Sequence, residues 1–250
     1  MNHQPLADQV ALVTGAGRRI GRVIALTLAQ AGADVVVNYH HSRAAAIATA
    51  REIEALGVRS AALRADVSKP HQVEAMMRMV EERFDQLDLL VNNAGVFFPR
   101  SIEELTEHDW DHILGINLKG PFFCAQEAVR LMRRRRSGPP GQIINISSLG
   151  GLQAWPGYAH YCCSKAALIM LTRCLAKALA PEIRVNSVAP GTILFPDEKR
   201  DAATQRIIEK TPLRSAGRPE DVADAVLYLA TSASFITGQV IAVDGGKSIP

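Results

Sequence analysis

Two side chains with complementary acid–base chemistry, Tyr161 and Lys165, stand four residues apart in the sequence. On a helix this spacing places both side chains on one face. A free phenol has a pKa of about 10, and an ammonium group held nearby favours the phenolate and lowers that pKa toward neutral pH. The pair therefore predicts a proton donor and acceptor, although an isolated pair with this spacing also fits an ordinary solvated helix face.

The apolar pattern of the chain indicates the fold that would position this pair. From Val10 onward, short β-branched apolar runs alternate with longer stretches of helical periodicity, which predicts repeated β-α-β units and a parallel sheet. Strands are expected at 10–14, 34–39, 59–64, 87–91, 142–146, 183–188 and 239–243. Helices are expected at 19–31, 43–56, 70–84, 106–136, 157–180 and 219–230, with a weaker candidate at 198–210.

These elements predict one α/β domain over residues 1–250, a doubly wound Rossmann fold with a seven-stranded parallel sheet and helices on both faces. No Pro/Gly/Ser-rich linker and no repeat divides the chain. A long segment at 190–218 follows the carboxyl end of the sixth strand, where open α/β sheets bind ligands. We therefore expect this segment to form a substrate lid.

Composition narrows the class of protein. With 48% hydrophobic and 21% charged residues, the 250-residue chain is typical of a globular protein, and no apolar run approaches the roughly 20 residues that span a bilayer. The polar N-terminus predicts a cytoplasmic protein. A net charge of +3 is too small to indicate nucleic-acid binding. The spacing of Cys124, Cys162, Cys163 and Cys174 favours reduced thiols, with no metal site and no disulfide framework.

A glycine-rich turn joins the first strand to the first helix. Glycines let the backbone approach a pyrophosphate, and a helix N-terminus supplies amide donors and positive potential. Such a turn alone fits a plain strand–helix connection equally well, but its place after the first strand favours a dinucleotide. The expected phosphate-binding residues are Gly15, Gly17, Arg18, Arg19, Ile20 and Gly21.

The end of the second strand indicates which dinucleotide binds. An NAD enzyme usually carries an acidic residue there for the ribose 2′-hydroxyl, and this chain has none. The residues expected to contact the cofactor instead are Asn38, Tyr39, His40, His41 and Ser42, with Arg43 nearby. Because hydroxyl and guanidinium groups bind a 2′-phosphate that a carboxylate would repel, the sequence favours NADP(H). The alternative is that the arginines are merely solvated.

Several motifs stand in a fixed order along the chain: Thr14-Gly15, Asn92-Asn93-Ala94-Gly95, Asn117, Ser148, Tyr161-x-x-x-Lys165 and Pro190-Gly191. In this order and spacing the chain resembles the short-chain dehydrogenase/reductase family over nearly its whole length. The resemblance implies that Tyr161 donates a proton to a carbonyl oxygen that Ser148 also binds. It further implies that Lys165 holds the nicotinamide ribose and lowers the pKa of Tyr161.

The same resemblance implies that Asn117 anchors a water molecule linking the lysine to solvent. A buried amide satisfied by the backbone is the alternative for that residue. The neighbouring Ser147 points to the opposite face of the strand, so only Ser148 is expected to reach the site. Tyr158 lacks a lysine four residues later and is expected to line the pocket.

Further cofactor contacts follow from the resemblance. Asp66 and Val67 are expected beside the adenine, and Asn93-Ala94-Gly95 beside the adenine ribose. The segment expected to flank the nicotinamide amide is Pro190, Gly191, Thr192 and Ile193. A helix cap at Asp66 and a simple turn at Asn93 are the alternatives.

One departure from the family pattern concerns the substrate. Arg19 stands where the turn usually has a glycine, which is similar to the pteridine reductase branch, whereas that branch usually carries Asp at the position of Ser148. The resemblance implies NADPH-dependent reduction of a carbonyl substrate, a ketone or a 3-oxoacyl thioester, with pteridine reduction as the alternative. A non-catalytic NADP-binding regulator is a third reading, against which the complete catalytic set argues.

Two surfaces predict partners. The basic run Arg133 to Arg136 fits either a solvated helix end or a docking site for an acidic acyl carrier protein. The apolar stretch from Glu220 to Gly246 predicts packing against another subunit, in a homotetramer or a homodimer.

Overall fold

The computed structural model describes residues 4–134, 138–195, 197–198 and 201–249. Its strands form one seven-stranded sheet in the order β3-β2-β1-β4-β5-β6-β7, and every neighbouring pair is parallel. The strands are β1 (Val10–Val13), β2 (Asp34–Tyr39), β3 (Ser60–Arg64), β4 (Leu89–Asn92), β5 (Gly141–Ile146), β6 (Ile183–Pro190) and β7 (Val240–Val243). The order reverses between β1 and β4, so the expected doubly wound fold is confirmed.

Eight α-helices connect and flank the strands. They are α1 (Arg19–Gln30), α2 (Arg43–Glu54), α3 (Pro70–Phe84), α4 (Glu107–Leu114), α5 (Gly120–Arg134), α6 (Ala159–Leu179), α7 (Ala202–Glu209) and α8 (Pro219–Thr231), counted over the described residues. A short 3₁₀ turn at Leu149–Gly151 follows β5. No helix in the described part of the chain is long and apolar enough to cross a bilayer.

Successive strand residues point to opposite faces of the sheet and fill two separate cores. Ala11 and Val13 pack with side chains of α1, α2 and α8 on one face. Val10 and Leu12 pack with side chains of α3, α5 and α6 on the other face. Because both faces are covered, the strands read as nearly continuous apolar runs, which made them recognisable in the sequence.

The prediction of one continuous helix at 106–136 is wrong. The structure has α4 and α5 joined by a π-turn at Gly115–Lys119. Pro121 lacks the amide hydrogen that an α-helix would direct to the carbonyl of Asn117, so the regular ladder is interrupted at this point. Residues 135 and 136 of the expected helix lie outside the described residues. The interruption places Asn117 in a non-α-helical turn beside α6.

Candidate active site

The four expected catalytic residues come from three elements that meet at the carboxyl edge of the sheet. Ser148 follows β5, Tyr161 and Lys165 lie in the first two turns of α6, and Asn117 lies in the π-turn. The Nζ atom of Lys165 is 5.9 Å from the centre of the Tyr161 ring. The side-chain amide of Asn117 donates to the hydroxyl of Ser164 on α6 at 3.1 Å. The structure therefore brings these four residues to one place.

The phenol of Tyr161 is largely buried, and burial raises its pKa above the ordinary value of 10.0. A hydrogen bond with the Ser148 side chain acts in the opposite direction. The lowering expected from Lys165 stays a prediction, since burial is the largest effect on the phenol in this structure and the ammonium group sits 5.9 Å from the ring centre. A raised pKa keeps the phenol protonated at neutral pH, as a proton donor requires.

Lys165 is buried, with 5% of its surface exposed. Burial lowers the pKa of its ammonium group to about 8. The Nζ atom donates to the carbonyl of Ile146 at the end of β5, at 2.9 Å. An ammonium group has three donors, so this bond leaves donors for the hydroxyl groups of a bound ribose.

Adjacent serines after β5 have opposite surroundings. The hydroxyl of Ser148 accepts from the amide of Gly150 at 3.0 Å. The hydroxyl of Ser147 instead donates to the carbonyl of Val188 and accepts from Ser187, at 3.2 and 2.7 Å. Only Ser148 is on the side of Tyr161, in agreement with the strand alternation expected from the sequence.

The side chain of Asn117 is buried and fully engaged by protein groups. Its oxygen accepts from the amide of Val96 at 2.9 Å, and its nitrogen donates to the carbonyl of Val96 at 3.0 Å and to Ser164. The alternative of a backbone-satisfied amide therefore describes the side chain, while the water-anchoring role stays a prediction. Gly95 lies beside it, since a Cβ there would be 3.3 Å from the Asn117 oxygen and 3.6 Å from Lys165 Nζ.

The glycine-rich turn is clamped against the segment after β4. Gly15 has a left-handed φ of +64°, and a Cβ there would come within 3.0 Å of the Cα of Ala94. A Cβ on Gly21 would lie 2.4 Å from the side-chain nitrogen of Asn93. The hydroxyl of Thr14, which sequence reasoning did not assign to the site, accepts from the amides of Asn93 and Ala94 at 3.0 Å each. The glycines are required because two loops share this space.

The start of α1 fits a bound pyrophosphate. The first turn of α1, which is fully described, contains no acidic side chain, and Arg18 at the N-cap makes no side-chain capping bond. The first amides of the helix and its positive end are thus available to an anion. A Cβ on Gly17 would lie 2.8 Å from the hydroxyl oxygen of Ser42, which brings the end of β2 to the same turn. The half-buried Ile20 packs against the adjacent core.

The residues expected to hold a 2′-phosphate divide into two groups. Asn38 and Tyr39 are buried, and the Asn38 side chain accepts from the amide of Gly15 at 3.2 Å and donates to the carbonyl of Ala65 at 3.2 Å. These two residues therefore support the glycine-rich turn from the interior of the protein. The residues that reach the surface or remain half-buried are Arg18, His40, His41, Ser42 and Arg43. Contact of this second group with a 2′-phosphate stays a prediction.

Arg19 does not join that group. Its guanidinium carbon lies 4.3 Å from the centre of the Phe195 ring, and its guanidinium forms an ion pair with Glu198. The backbone at Arg19 has a left-handed φ of +56°. The guanidinium is thus engaged by the segment after β6, where Glu198 lies 179 residues away in the sequence, and the expected phosphate contact of Arg19 stays a prediction.

Asp66 and Val67 make local contacts after β3. Burial would raise the pKa of Asp66, but hydrogen bonds from the hydroxyl and amide of Ser68 and the charge of His40 outweigh it and lower the pKa. These bonds measure 2.8 and 2.9 Å. Val67 packs on Gly120, where a Cβ would come within 2.9 Å of its side chain. Their expected contacts with an adenine ring stay predictions.

The segment after β6 is fixed at its base. The amide of Gly191 donates to the carbonyl at the end of β7 at 2.9 Å, and a Cβ there would collide with Asp244 at 2.8 Å. The carbonyl of Thr192 accepts from the amide of Gly217 at 3.0 Å, and Ile193 forms a β-bridge with the same glycine. The two ends of the 190–218 segment therefore close on each other, with α7 between them.

Two aromatic residues beside Tyr161 were not identified from the sequence. Phe97 and Trp155 lie 4.7 and 6.1 Å from the Tyr161 ring, measured between ring centres. Tyr158, which was expected to line the pocket, stacks on Phe97 at 4.6 Å. The available signal was that aromatic residues, only 5% of the chain, recur next to the Asn-Asn-Ala-Gly motif and just before Tyr161.

The described residues show no group of three or more His, Cys, Asp or Glu side chains that could hold a metal ion. The four cysteines are free thiols. The site described above is thus composed of a phenol, an amine, a hydroxyl and an amide next to a glycine-rich helix start.

Comparison with known proteins gives matches over nearly the whole chain. A family model described as enoyl-(acyl carrier protein) reductase matches residues 15–248. The 3-oxoacyl-[acyl-carrier-protein] reductase FabG of Staphylococcus aureus is 44% identical over 240 residues, 94% of this chain and 96% of that protein.

Solved structures give the same picture. A dehydrogenase/reductase from Sinorhizobium meliloti superposes with a TM-score of 0.92 at 36% identity, covering 98% of this chain and 97% of that one. A short chain dehydrogenase from Burkholderia cenocepacia, solved in complex with NADP, has a TM-score of 0.91 at 36% identity and covers 97% of this chain and 99% of that one.

Proposed function

Because the chain belongs to the short-chain dehydrogenase/reductase family, a family of oxidoreductases, we propose that it is an NADPH-dependent reductase of a carbonyl substrate. The substrate we favour is a ketone, with a 3-oxoacyl thioester as the form that the Staphylococcus aureus relative's name indicates. The observation that carries this proposal is the Tyr161 phenol, hydrogen-bonded to Ser148, with Lys165 Nζ 5.9 Å from its ring centre.

In the proposed reaction the chain supplies positioning and a proton. Ser148 and Tyr161 hydrogen-bond the carbonyl oxygen, and Tyr161 transfers its proton to that oxygen as the carbon is reduced. Lys165, positively charged below a pH of about 8, binds the ribose and stabilises the phenolate left behind. Bound NADPH supplies the hydride. Asn117 holds the segment after β4 against α6 through Val96 and Ser164.

The preference for NADPH rests on the end of β2. It carries no carboxylate. Arg18 lies in the glycine turn, the Ser42 hydroxyl lies against Gly17, and Arg43 follows Ser42 in the sequence. Arg19 is not included, since it is engaged with Glu198 and Phe195. A relative from Burkholderia cenocepacia was solved with NADP, in support of the same choice.

The proposal is tested by replacing the phenolic hydroxyl. Tyr161→Phe should lower kcat for ketone reduction by about 10²- to 10⁴-fold, the usual contribution of a positioned acid, while NADPH still binds. Tyr158→Phe removes a neighbouring hydroxyl and should leave kcat close to wild type. NADPH consumption measures turnover, and fluorescence titration measures cofactor binding. An unimpaired Tyr161→Phe enzyme would contradict the catalytic assignment, and equal rates with NADPH and NADH would contradict the cofactor assignment.

Further partners are also proposals. In the basic run, Arg133 pairs with Glu182 at 2.8 Å and Arg134 pairs with Glu81 at 2.6 Å, so this half is engaged within the chain. Arg135 and Arg136 lie outside the described residues. Docking of an acyl carrier protein is supported by the FabG relative's name rather than by free cations here. We also propose a single domain, a substrate lid at 190–218, a cytoplasmic location and assembly as a homotetramer or homodimer.

A further inference from the structure

Three aromatic side chains form a continuous surface around the Tyr161 ring, and we call Phe97, Trp155 and Tyr158 the aromatic wall. Phe97 meets the Tyr161 ring edge-on, with ring centres 4.7 Å apart and an interplanar angle of 72°. Tyr158 lies parallel to Phe97 at 4.6 Å and 3°. Trp155 is nearly parallel to Tyr161 at 6.1 Å and 17°. These are the offset and edge-to-face geometries that aromatic rings prefer.

The backbone holds the wall in place. The amide of Arg100 donates to the carbonyl of Gly157 at 2.8 Å, which ties the segment after β4 that carries Phe97 to the loop before α6. Gly150 makes room for two rings, because a Cβ there would lie 3.0 Å from the Trp155 ring and 3.2 Å from the Tyr161 ring. The wall is therefore pre-organised by main-chain contacts and by a missing side chain.

Part of the wall stays open to a ligand. Phe97 is 55% exposed although it contacts the rings of Trp155, Tyr158 and Tyr161, and Trp155 and Tyr158 are half-buried. Exposing aromatic surface to water is unfavourable in free energy. An apolar ligand that covers this surface beside the phenol is therefore bound more favourably. An aromatic surface also attracts cations. Here Lys165 lies 5.9 Å from the Tyr161 ring and is charged at neutral pH, so a second cation would be repelled.

We propose that the aromatic wall binds a planar apolar ring attached to the reacting carbonyl, so that the preferred substrates are aryl-bearing ketones or 3-oxo thioesters rather than purely aliphatic ones. This inference rests on the proposed function, because it takes Tyr161 as the group that protonates the carbonyl oxygen. Phe97 and Trp155 then determine specificity by contact with the substrate ring.

The test compares two ketones of matched size, phenyl methyl ketone and cyclohexyl methyl ketone. Aromatic pairs are stabilised beyond simple burial, by an amount that corresponds to a ratio of about 2- to 10-fold. We expect kcat/KM for the phenyl ketone to exceed that for the cyclohexyl ketone by a factor in this range. Equal values for the two ketones would overturn the inference.

Two leucine variants distinguish substrate contact with the aromatic wall from a general effect of removing a nearby aromatic ring. Phe97→Leu keeps apolar volume but removes the ring, and should lower the phenyl-to-cyclohexyl ratio by about 3-fold, the equivalent of one aromatic contact. Phe98→Leu is the matched control, because the Phe98 ring packs against His112 and His160 and, among the described residues, makes no ring–ring contact with the wall. It should leave the ratio unchanged. An equal effect of both variants would overturn the role of Phe97.

Calorimetric binding distinguishes this inference from the proposed function. If neither ketone is reduced, the proposed function fails, and the dissociation constants of both ketones for the enzyme saturated with NADP⁺ still decide the ring preference. Tighter binding of the phenyl ketone, lost in Phe97→Leu, supports the wall. Tighter binding of acetonyltrimethylammonium than of the phenyl ketone would overturn the choice of a neutral ring.

Discussion

Burial acts on Tyr161 and Lys165 in opposite directions at the scale of single residues. It disfavours the charged form of each group, so it raises the pKa of the phenol and lowers the pKa of the ammonium. The phenol is therefore protonated and ready to donate at neutral pH. The lysine, with a pKa of about 8, is charged below that value and neutral above it. Burying the charged Lys165 ammonium therefore lowers the free energy of unfolding of the protein.

This cost is measurable by replacing Lys165 with methionine. The folded pKa of about 8 lies below the ordinary 10.5, so between these values the unfolded chain binds more protons and the stability of the wild type rises with pH. At pH 7 the cofactor-free Lys165→Met protein should be more stable by about 1–3 kcal/mol, after the loss of the Ile146 hydrogen bond. Its advantage should shrink from pH 8 to 10.5, as measured by urea unfolding.

Lys177 provides the control for that experiment, since it is exposed on the same helix. Lys177→Met should change the free energy of unfolding by less than about 0.5 kcal/mol at every pH. A Lys165→Met protein that is less stable than wild type at pH 7 would show that the burial cost is smaller than the value of the lost hydrogen bond.

At the scale of elements, a buried chain of polar groups fastens the catalytic helix α6 to the sheet. The side-chain amide of Asn92 on β4 donates to Asn145 on β5 at 2.9 Å, and Asn145 donates to the hydroxyl of Thr172 on α6 at 2.9 Å. The Thr172 hydroxyl donates onward to the carbonyl of Leu168. Since all of these side chains are buried, each lost partner leaves a desolvated polar group.

A matched pair of threonines tests this connection. Thr172 and Thr231 both donate to the carbonyl four residues earlier, at 2.9 and 2.8 Å, but only Thr172 also accepts from Asn145. Thr172→Ala should therefore cost about 1–3 kcal/mol more than Thr231→Ala, because it leaves a buried amide without its acceptor. Thermal and urea unfolding measure the difference. Equal losses would mean that the network adds nothing beyond local helix packing.

At the scale of the whole molecule, apolar surface remains uncovered near the β7 edge of the sheet. Phe235 is fully exposed, Tyr228 on α8 is 47% exposed, and β7 is half-buried or exposed at every position. In the described residues β7 pairs only with β6. This surface lies within the stretch from Glu220 to Gly246 that the sequence indicated for subunit contact, and it supports the proposed assembly.

Introducing a single charged side chain on this surface should weaken the association of subunits. Phe235→Asp should shift the protein from a tetramer or dimer to a smaller species, because an unpaired carboxylate would be buried in the contact. Leu56→Asp, on an exposed apolar residue just beyond α2, is the control and should leave the mass unchanged. Light scattering after size exclusion measures both. A monomeric wild type would contradict the proposed assembly.

The sequence by itself determined the order of strands and helices, the doubly wound topology and the positions of the catalytic motifs. It could do so because these features depend on local signals. Apolar periodicity marks each strand and helix in turn, and the glycine turn is a short motif at a fixed place in the fold. It did not show contacts between residues far apart in the sequence, or the interruption of one predicted helix. Arg19 is held by Glu198, and Pro121 interrupts the expected helix at Asn117.

Only the tertiary structure decided the chemistry of the central pair. Four-residue spacing puts Tyr161 and Lys165 on one helix face, but it does not show how deeply they are buried. Burial acts on the pKa of the phenol against the lowering expected from the cation. The same holds for Phe97, which is far from Trp155 in sequence and reaches the Tyr161 ring through the packing of separate loops. Desolvation and long-range contacts are properties of the folded chain, so only the tertiary structure shows them.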